Sequence, residues 1–388
     1  MTTSMSRPWW RPNPTEAVPW LGGLTPRQFM RTYWQKKPLL VRNAFPADFA
    51  PIGIDEILGL CADDHVQARL VRATGAHWTL DHGPFTRRQL PRLSAARWTV
   101  LVQQVNTCLP QADRFLDAFR FIPEARLDDL MVSVAGPDGG IGAHVDSYDV
   151  FLVQAAGQRR WEIAQTFDHD LIADVPLKIL KRFRAEQDWV LGPGDLLYLP
   201  PQVAHRGTAV GTHCMTWSVG FRAPNRLSLA DAVWSQHLDT LVDADWRDPW
   251  LGATARPGEI PARLLKALTQ QVHTQLPSKA VIAKAVAQVL SEPAPQAIFD
   301  APKPCHSRRQ FAAAAARSGL RLASATRLLY CDDRFFMNGE PVTLGRTRGA
   351  GKALRTLADA RALLPKDCGN TALDVLYDMY RSGWIVYD

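Results

Sequence analysis

Between residues 129 and 224 the chain is a succession of short apolar runs, DLMVSVAG, YDVFLVQAAG, RRWEIA, DWVLGPGDLLYLPP, HRGTAV and HCMTWSVGFRAP, punctuated by Gly and Pro. Each run has the length of a typical strand. No helical repeat lies between them to carry a parallel crossover, so the strands are expected to pair antiparallel, as a sandwich or small barrel. The Pro-Gly turn within LGPGDLLYLP predicts a hairpin.

The flanks read differently. Upstream, LTPRQFMRTYWQKKPLLVRNAFP predicts a short amphipathic helix and then a strand, with Pro38 at the break. DEILGLCADD and RLSAARWTVLVQQV read as helical patches. After Pro224 the period switches: RLSLADAVWSQHLDTLVDADW opens with Ser228 and Asp231 as a capping box, and SKAVIAKAVAQVL spaces Ile282, Val286 and Val289 or Leu290 as one helical face. Helices are expected over 226–292, with apolar faces suited to dimerisation. Pro293, Pro302 and Pro304 mark a linker. The last block combines a helix in RQFAAAAARSGL, a hairpin at Asn338-Gly339, a helix in ALDVLYDMYR and a terminal strand, which together predict a winged helix over 293–388.

A chain of 388 residues has room for two or three such domains, and 46% hydrophobic with 21% charged residues is a globular composition. No apolar run approaches the roughly 20 residues that cross a bilayer. The opening MTTSMSRPWWRPNPTEAVPW has Pro and Trp where an export signal needs an apolar core, and the six cysteines form no C-x-x-C. The expectation is a cytoplasmic protein with reduced thiols. The net charge of +7 is concentrated at the C-terminus, where residues 301–388 hold 14 Lys/Arg against 8 Asp/Glu. That excess suits RNA or an RNA-bound partner, or is simply a solvated basic face.

In GGIGAHVDSYDVF, His144 and Asp146 stand two apart at the start of an extended run, so both side chains point the same way. A non-haem Fe(II) centre needs two imidazoles and one carboxylate on one face, leaving positions for cosubstrate and O2. His205, just after the Pro-Pro turn of LYLPPQVAHRG, is the best third ligand, with His213 in reserve. His237-Leu238-Asp239 has the same spacing but lies in a helical stretch, where residues two apart diverge by about 200°. If 2-oxoglutarate is the cosubstrate, its distal carboxylate needs a cation, preferably arginine. Strand alternation puts Arg159 on the face of Trp161 and Arg160 on the other, making Arg159 the inward candidate.

GAHVDSYDVFLVQAAGQRRW, GDLLYLPPQVAHRG and SVGFRAP together resemble the JmjC-type 2-oxoglutarate oxygenases, and most of all their bacterial ribosomal oxygenase branch. The resemblance runs from YWQKKPLLVRNAFP through the helical segment to the C-terminal block. It implies an α+β protein: a JmjC double-stranded β-helix (cupin) barrel over 1–225 with its core at about 129–225, a helical dimerisation region over 226–292, and a winged-helix domain over 293–388. It implies iron ligands at His144, Asp146 and His205, a 2-oxoglutarate contact at Arg159 where many JmjC proteins carry Lys, and a further contact at Ser133. The implied activity is 3-hydroxylation of an arginine in large-subunit ribosomal protein sixteen. A guanidinium substrate is expected to meet carboxylates or aromatic faces, with Tyr148, Asp149 and Asp138 as candidates. A histidine hydroxylase or N-methyl demethylase would share the same iron chemistry. A non-catalytic cupin with a winged helix, acting as a nucleic-acid-binding regulator, is the reading from another class.

Overall fold

The computed structural model describes residues 11–75, 77–344, 349–369 and 372–388. The N-terminal part supplies α1 (Pro26–Thr32), β1 (Leu39–Val41), α2 (Ile54–Leu60), β2 (Ala68–Thr74), β3 (His77–His82), β4 (Trp98–Val102), α3 (Val105–Cys108) and α4 (Pro110–Phe115). The strand-rich segment follows as β5 (Leu127–Ala135), β6 (His144–Val145), β7 (Val150–Ala164), β8 (Gln187–Leu191), β9 (Leu196–Leu199) and β10 (Ala204–Phe221). These strands form one antiparallel sheet of ten, ordered β1-β9-β7-β10-β5-β4-β2-β3, with β6 added to β10 and β8 to β7.

Two glycine-marked boundaries turn out to be bends. YDVFLVQAAG and RRWEIA are one strand, β7, passing through Gly157 at φ +59. HRGTAV and HCMTWSVGFRAP are likewise one strand, β10, whose register with β7 shifts between Val210 and Met215, around Gly211 and His213. Such bulges bend a strand sharply and curve the sheet. The curvature brings β4, β5, β6, β7 and β10 around a common cavity, since Leu101, Ser133, His144, Leu152 and Thr216 all line it.

The opposite face of the sheet is not free. Phe151, Tyr198 and Trp217 pack against Phe29, Phe45, Phe49, Phe115 and Phe119 of the N-terminal elements. Over residues 150–155, where it is buried on both faces, β7 reads as a nearly continuous apolar run.

Three expectations are corrected. RLSAARWTVLVQQV contains β4, not a helix: Trp98–Val102 is buried at every position between β2 and β5, and its β-branched residues suit that place. LGPGDLLYLP is not a hairpin, because β8 and β9 do not pair with each other; both run antiparallel to β7 on the same edge, bridged by hydrogen bonds between Gln154 and the Gly194-Asp195 turn. Ser228 and Asp231 do not cap the next helix, since Asn225 accepts from the Leu227 and Ser228 amides.

Helices α5 (Arg226–Leu238), α6 (Ala262–Thr274) and α7 (Lys279–Ser291) follow the sheet as the periodicity predicts. No residue of α6 is buried, and Leu265, Leu268 and Val272 of its apolar stripe are exposed. The C-terminal block folds as α8 (Arg308–Ser318), β11 (Leu320–Leu322), β12 (Leu328–Cys331), β13 (Arg334–Met337), β14 (Glu340–Val342), α9 (Ala350–Ala360), β15 (Ala362–Leu363), α10 (Leu373–Arg381) and β16 (Ile385–Tyr387). Its strands make two three-stranded sheets around a separate core that includes Phe311, Leu354 and Leu376. Asn338 and Gly339 both adopt positive φ in the expected hairpin turn between β13 and β14.

Candidate metal and cosubstrate site

Gly142 adopts φ +83, and a Cβ there would come within 2.8 Å of the Ile179 side chain, so the turn before β6 requires glycine. Out of this turn His144 pairs directly opposite His205 on β10, and the two imidazole centroids are 4.1 Å apart. Asp146 follows on the same side, with Oδ2 3.9 Å from His144 Nε2 and 3.6 Å from His205 Nε2. His144 Nδ1 lies 3.1 Å from the Gly142 carbonyl and His205 Nδ1 lies 3.0 Å from that of Val203. Each Nδ1–H thus donates to backbone, which leaves both Nε2 lone pairs aimed inward. Burial, and next the neighbouring His144, hold the His205 imidazole well below its ordinary range, hence neutral.

These donors suit a divalent ion. Two ligands at about 2.1 Å and right angles lie about 3 Å apart, so the observed separations close onto one ion with shifts of under about 1 Å. Among the described residues the other triplet with metal-ligand spacing, Asp63, Asp64 and His65, is fully exposed in a single turn. His213 is exposed at the bulge of β10, away from the triad. His237 is buried in α5 and its Nε2–H donates to the Gln275 carbonyl.

The triad opens into a cavity of about 300 Å³. Arg159 lies in its lining, only 4% exposed. Its Nε donates to Thr216 Oγ1 at 2.9 Å, a longer contact of 3.5 Å joins Nη2 to Ser133 Oγ, and Thr216 in turn donates to Gln154. No carboxylate of the described residues comes within 4.0 Å of this guanidinium. A buried cation with only neutral partners leaves charge to be satisfied by an anion. Arg160, by contrast, is exposed and paired with Asp188, as strand alternation predicts.

The outer part of the cavity is lined by Arg69, Gln103, Asp128, Asp129, Met131 and Tyr148. Asp129 accepts the Gln104 amide at 2.9 Å; burial, with the charge of Asp128 next, pushes its carboxyl up to about 6. The remaining two candidates lie off the cavity. Asp149 is fully buried, accepting from Tyr198 at 2.6 Å and Gln35 at 2.9 Å, which is a packing role. Asp138 is exposed in the turn after β5. Sequence reasoning missed Asp129, Thr216 and Arg69. The first two stand at alternate positions of strands otherwise read as apolar, and a polar residue inside such a run is the signal that marks them.

A JmjC domain model matches residues 114–229. The chain is 36% identical over 234 residues to the Escherichia coli (strain K12) ribosomal protein uL16 3-hydroxylase, a match covering 60% of this chain and 62% of that protein. It is 37% identical over 218 residues to a probable ribosomal oxygenase of Haemophilus influenzae, covering 54% and 52%. In sequence, therefore, the matches span less than two thirds of those relatives. In structure the likeness is wider: YcfD, a ribosomal oxygenase from Escherichia coli solved with cobalt and 2-oxoglutarate, superposes with a TM-score of 0.80 at 29% identity over 94% of this chain and 98% of that one. Residues 114–229 of the chain match a JmjC domain, and its fold is similar to that of a bacterial ribosomal oxygenase.

Proposed function

We propose that this protein is an Fe(II)- and 2-oxoglutarate-dependent oxygenase that hydroxylates Cβ of an arginine in the large-subunit ribosomal protein uL16. The observation that carries the reading is the convergence of His144, Asp146 and His205 in one cavity with a buried Arg159 that no carboxylate of the described residues pairs. The name of the E. coli relative and the cobalt and 2-oxoglutarate bound to YcfD support it.

In this reading His144, Asp146 and His205 hold the iron. Bound iron supplies the redox chemistry that couples decarboxylation of 2-oxoglutarate, to succinate and carbon dioxide, with insertion of one atom of O2 into a C–H bond. Arg159 takes the distal carboxylate of 2-oxoglutarate, with Thr216 and Ser133 fixing the plane of its fork. Asp129 and Tyr148 receive the substrate guanidinium, the first by charge and the second by its ring face. Asp128 is paired with Arg222 at 3.0 Å, so Asp129 is the carboxylate at the mouth left to meet a basic substrate.

Residues 1–225 form the oxygenase domain, 226–292 the dimerisation region and 293–388 the winged-helix domain. The exposed stripe of α6 is covered by a second copy, giving a homodimer. No helix among the described residues is long and apolar enough to cross a membrane, in keeping with a cytoplasmic enzyme that meets ribosomal proteins there, and direct nucleic-acid binding is not required.

Incubation of the purified chain with uL16, Fe(II), 2-oxoglutarate and air, followed by tandem mass spectrometry, tests the reading. One added oxygen on an arginine is expected. An added oxygen on histidine, or loss of a methyl group, would move the assignment to the sister activities. Salt-dependent duplex binding with no turnover would favour a regulator.

A further inference from the structure

Asp128 and Asp129 do not sit on a regular strand. The β10–β5 register pairs Val219 with Leu130 and Phe221 with Leu127, so Gly220 alone faces two residues, Asp128 and Asp129. This is a β-bulge, a device that re-aims side chains and strips backbone groups of ladder partners. Carbonyls at and before the bulge are hydrogen-bonded from far along the chain. Arg327, just before β12 of the C-terminal block, donates through Nη2 to the carbonyls of Leu127 at 2.7 Å and Asp128 at 3.0 Å, and through Nη1 to that of Glu124 at 3.1 Å.

Arg327 is not there as half of a tight ion pair. Among the described residues its closest carboxylate oxygen, on Asp128, is 4.0 Å away, and burial, then the charge of Arg222, brings it down to about 10. Arg361 holds the other end of the same segment, with Nη1 3.3 Å from Glu124 Oε1. Burial acts to raise Glu124, but the guanidiniums of Arg120, Arg361 and Arg327 outweigh it and take the carboxyl to about 2. The approach to β5 is thus pinned by two arginines of the C-terminal block.

We infer that the C-terminal block is part of substrate recognition, with Arg327 as the positioning residue that sets the Asp128–Asp129 bulge at the cavity mouth. This rests on the role given to Asp129 above. The arginine also supplies positive charge to Asp129, beside Asp128, Arg222 and Tyr148 and with Arg69 lining the same part of the cavity.

The test compares Arg327→Met and Arg327→Lys with the wild-type chain at full length, using recombinant uL16 as substrate. For Arg327→Met the KM for uL16 is expected to rise tenfold or more. Succinate formation in the absence of uL16, and the KM for 2-oxoglutarate, stay within twofold of wild type. The acid limb of the kcat/KM profile for uL16 moves to higher pH, because Asp129 loses a cation that favours its ionised form. Arg327→Lys keeps the limb near its wild-type position and still raises KM, and it carries the comparison if the Met variant does not fold. An unchanged KM for uL16 in a folded variant, or a parallel loss of uncoupled turnover, would overturn the inference. If wild type leaves uL16 unmodified, it is the proposed substrate that fails. The positioning is then read from the Asp129 carboxyl itself, by carbon-13 NMR titration: a higher midpoint in Arg327→Met than in wild type sustains it, and equal midpoints sink it.

Discussion

Replacing Arg159 by Met keeps an unbranched side chain in the cavity wall and removes the guanidinium that meets Thr216 and Ser133. A hydrogen bond to a charged group contributes about 1.5–3 kcal/mol, so losing both arms of a fork to a carboxylate costs about 3 kcal/mol or more. At about 1.4 kcal/mol per tenfold, the KM for 2-oxoglutarate should rise at least about 100-fold. Arg159→Lys retains the charge without the fork and should lose about tenfold. The apo protein behaves in the opposite sense. Because no carboxylate of the described residues within 4.0 Å balances this buried cation, Met at this position should leave Tm unchanged or raise it by a few degrees, the equivalent of about 1 kcal/mol. The thermal shift that 2-oxoglutarate gives wild type should vanish. Succinate production against 2-oxoglutarate concentration, together with melting scans with and without the cosubstrate, measures both arms. A KM within threefold of wild type, or an apo Tm that falls by more than about 5 °C, would show that Arg159 is a structural strut rather than the anion's partner.

Three further perturbations follow from the geometry. A Cβ at Gly207 would lie 2.7 Å from the Trp161 ring, so Gly207→Ala forces Trp161 to move and should cost about 1–3 kcal/mol, seen as a lower Tm by calorimetry; an unchanged Tm would mean the ring has room to move. Asp129 is protonated more readily in the folded chain than unfolded, with burial and Asp128 raising it to about 6 from 3.8. Its contribution to stability therefore falls as pH climbs from about 4 through 6. Asp129→Asn should gain roughly 2–3 kcal/mol on wild type between pH 4 and pH 7.5 in urea titrations, while losing affinity for uL16; an equal difference at both pH values would contradict the buried environment. Leu265→Asp with Val272→Asp on the exposed stripe of α6 should give monomers by light scattering, whereas an intact dimer would place the interface elsewhere.

Much of this architecture was legible because its signals are local. Short apolar runs give strands, Asn338-Gly339 gives its turn, and the spacing of Ile282 and Val286 gives α7. The candidate triad was legible because His144 and Asp146, two apart in extended backbone, point the same way and His205, near the start of β10, pairs with His144. What failed was decided by neighbours distant in sequence. Trp98–Val102 becomes a strand because β2 and β5 flank it, and nothing within those residues says so. The glycines at 157 and 211 bend strands instead of ending them because β7 and β10 support each other across the bulge. Asp129 was passed over as a single polar residue in an apolar run, because its place in the cavity lining follows from a bulge in its pairing with β10. Asp149 attracted attention through nearness in sequence to the metal pair, yet its side chain faces Tyr198 and Gln35.

The proposed activity requires one ion held by His144, Asp146 and His205. Calorimetric titration of the metal-free chain with Co(II), and with Fe(II) under nitrogen, measures this without reference to any substrate. Wild type and His213→Ala should each bind one equivalent, while His144→Ala, Asp146→Ala and His205→Ala should each lose affinity by at least about 100-fold. Full-strength binding by the three triad variants, or its loss in His213→Ala, would contradict the account.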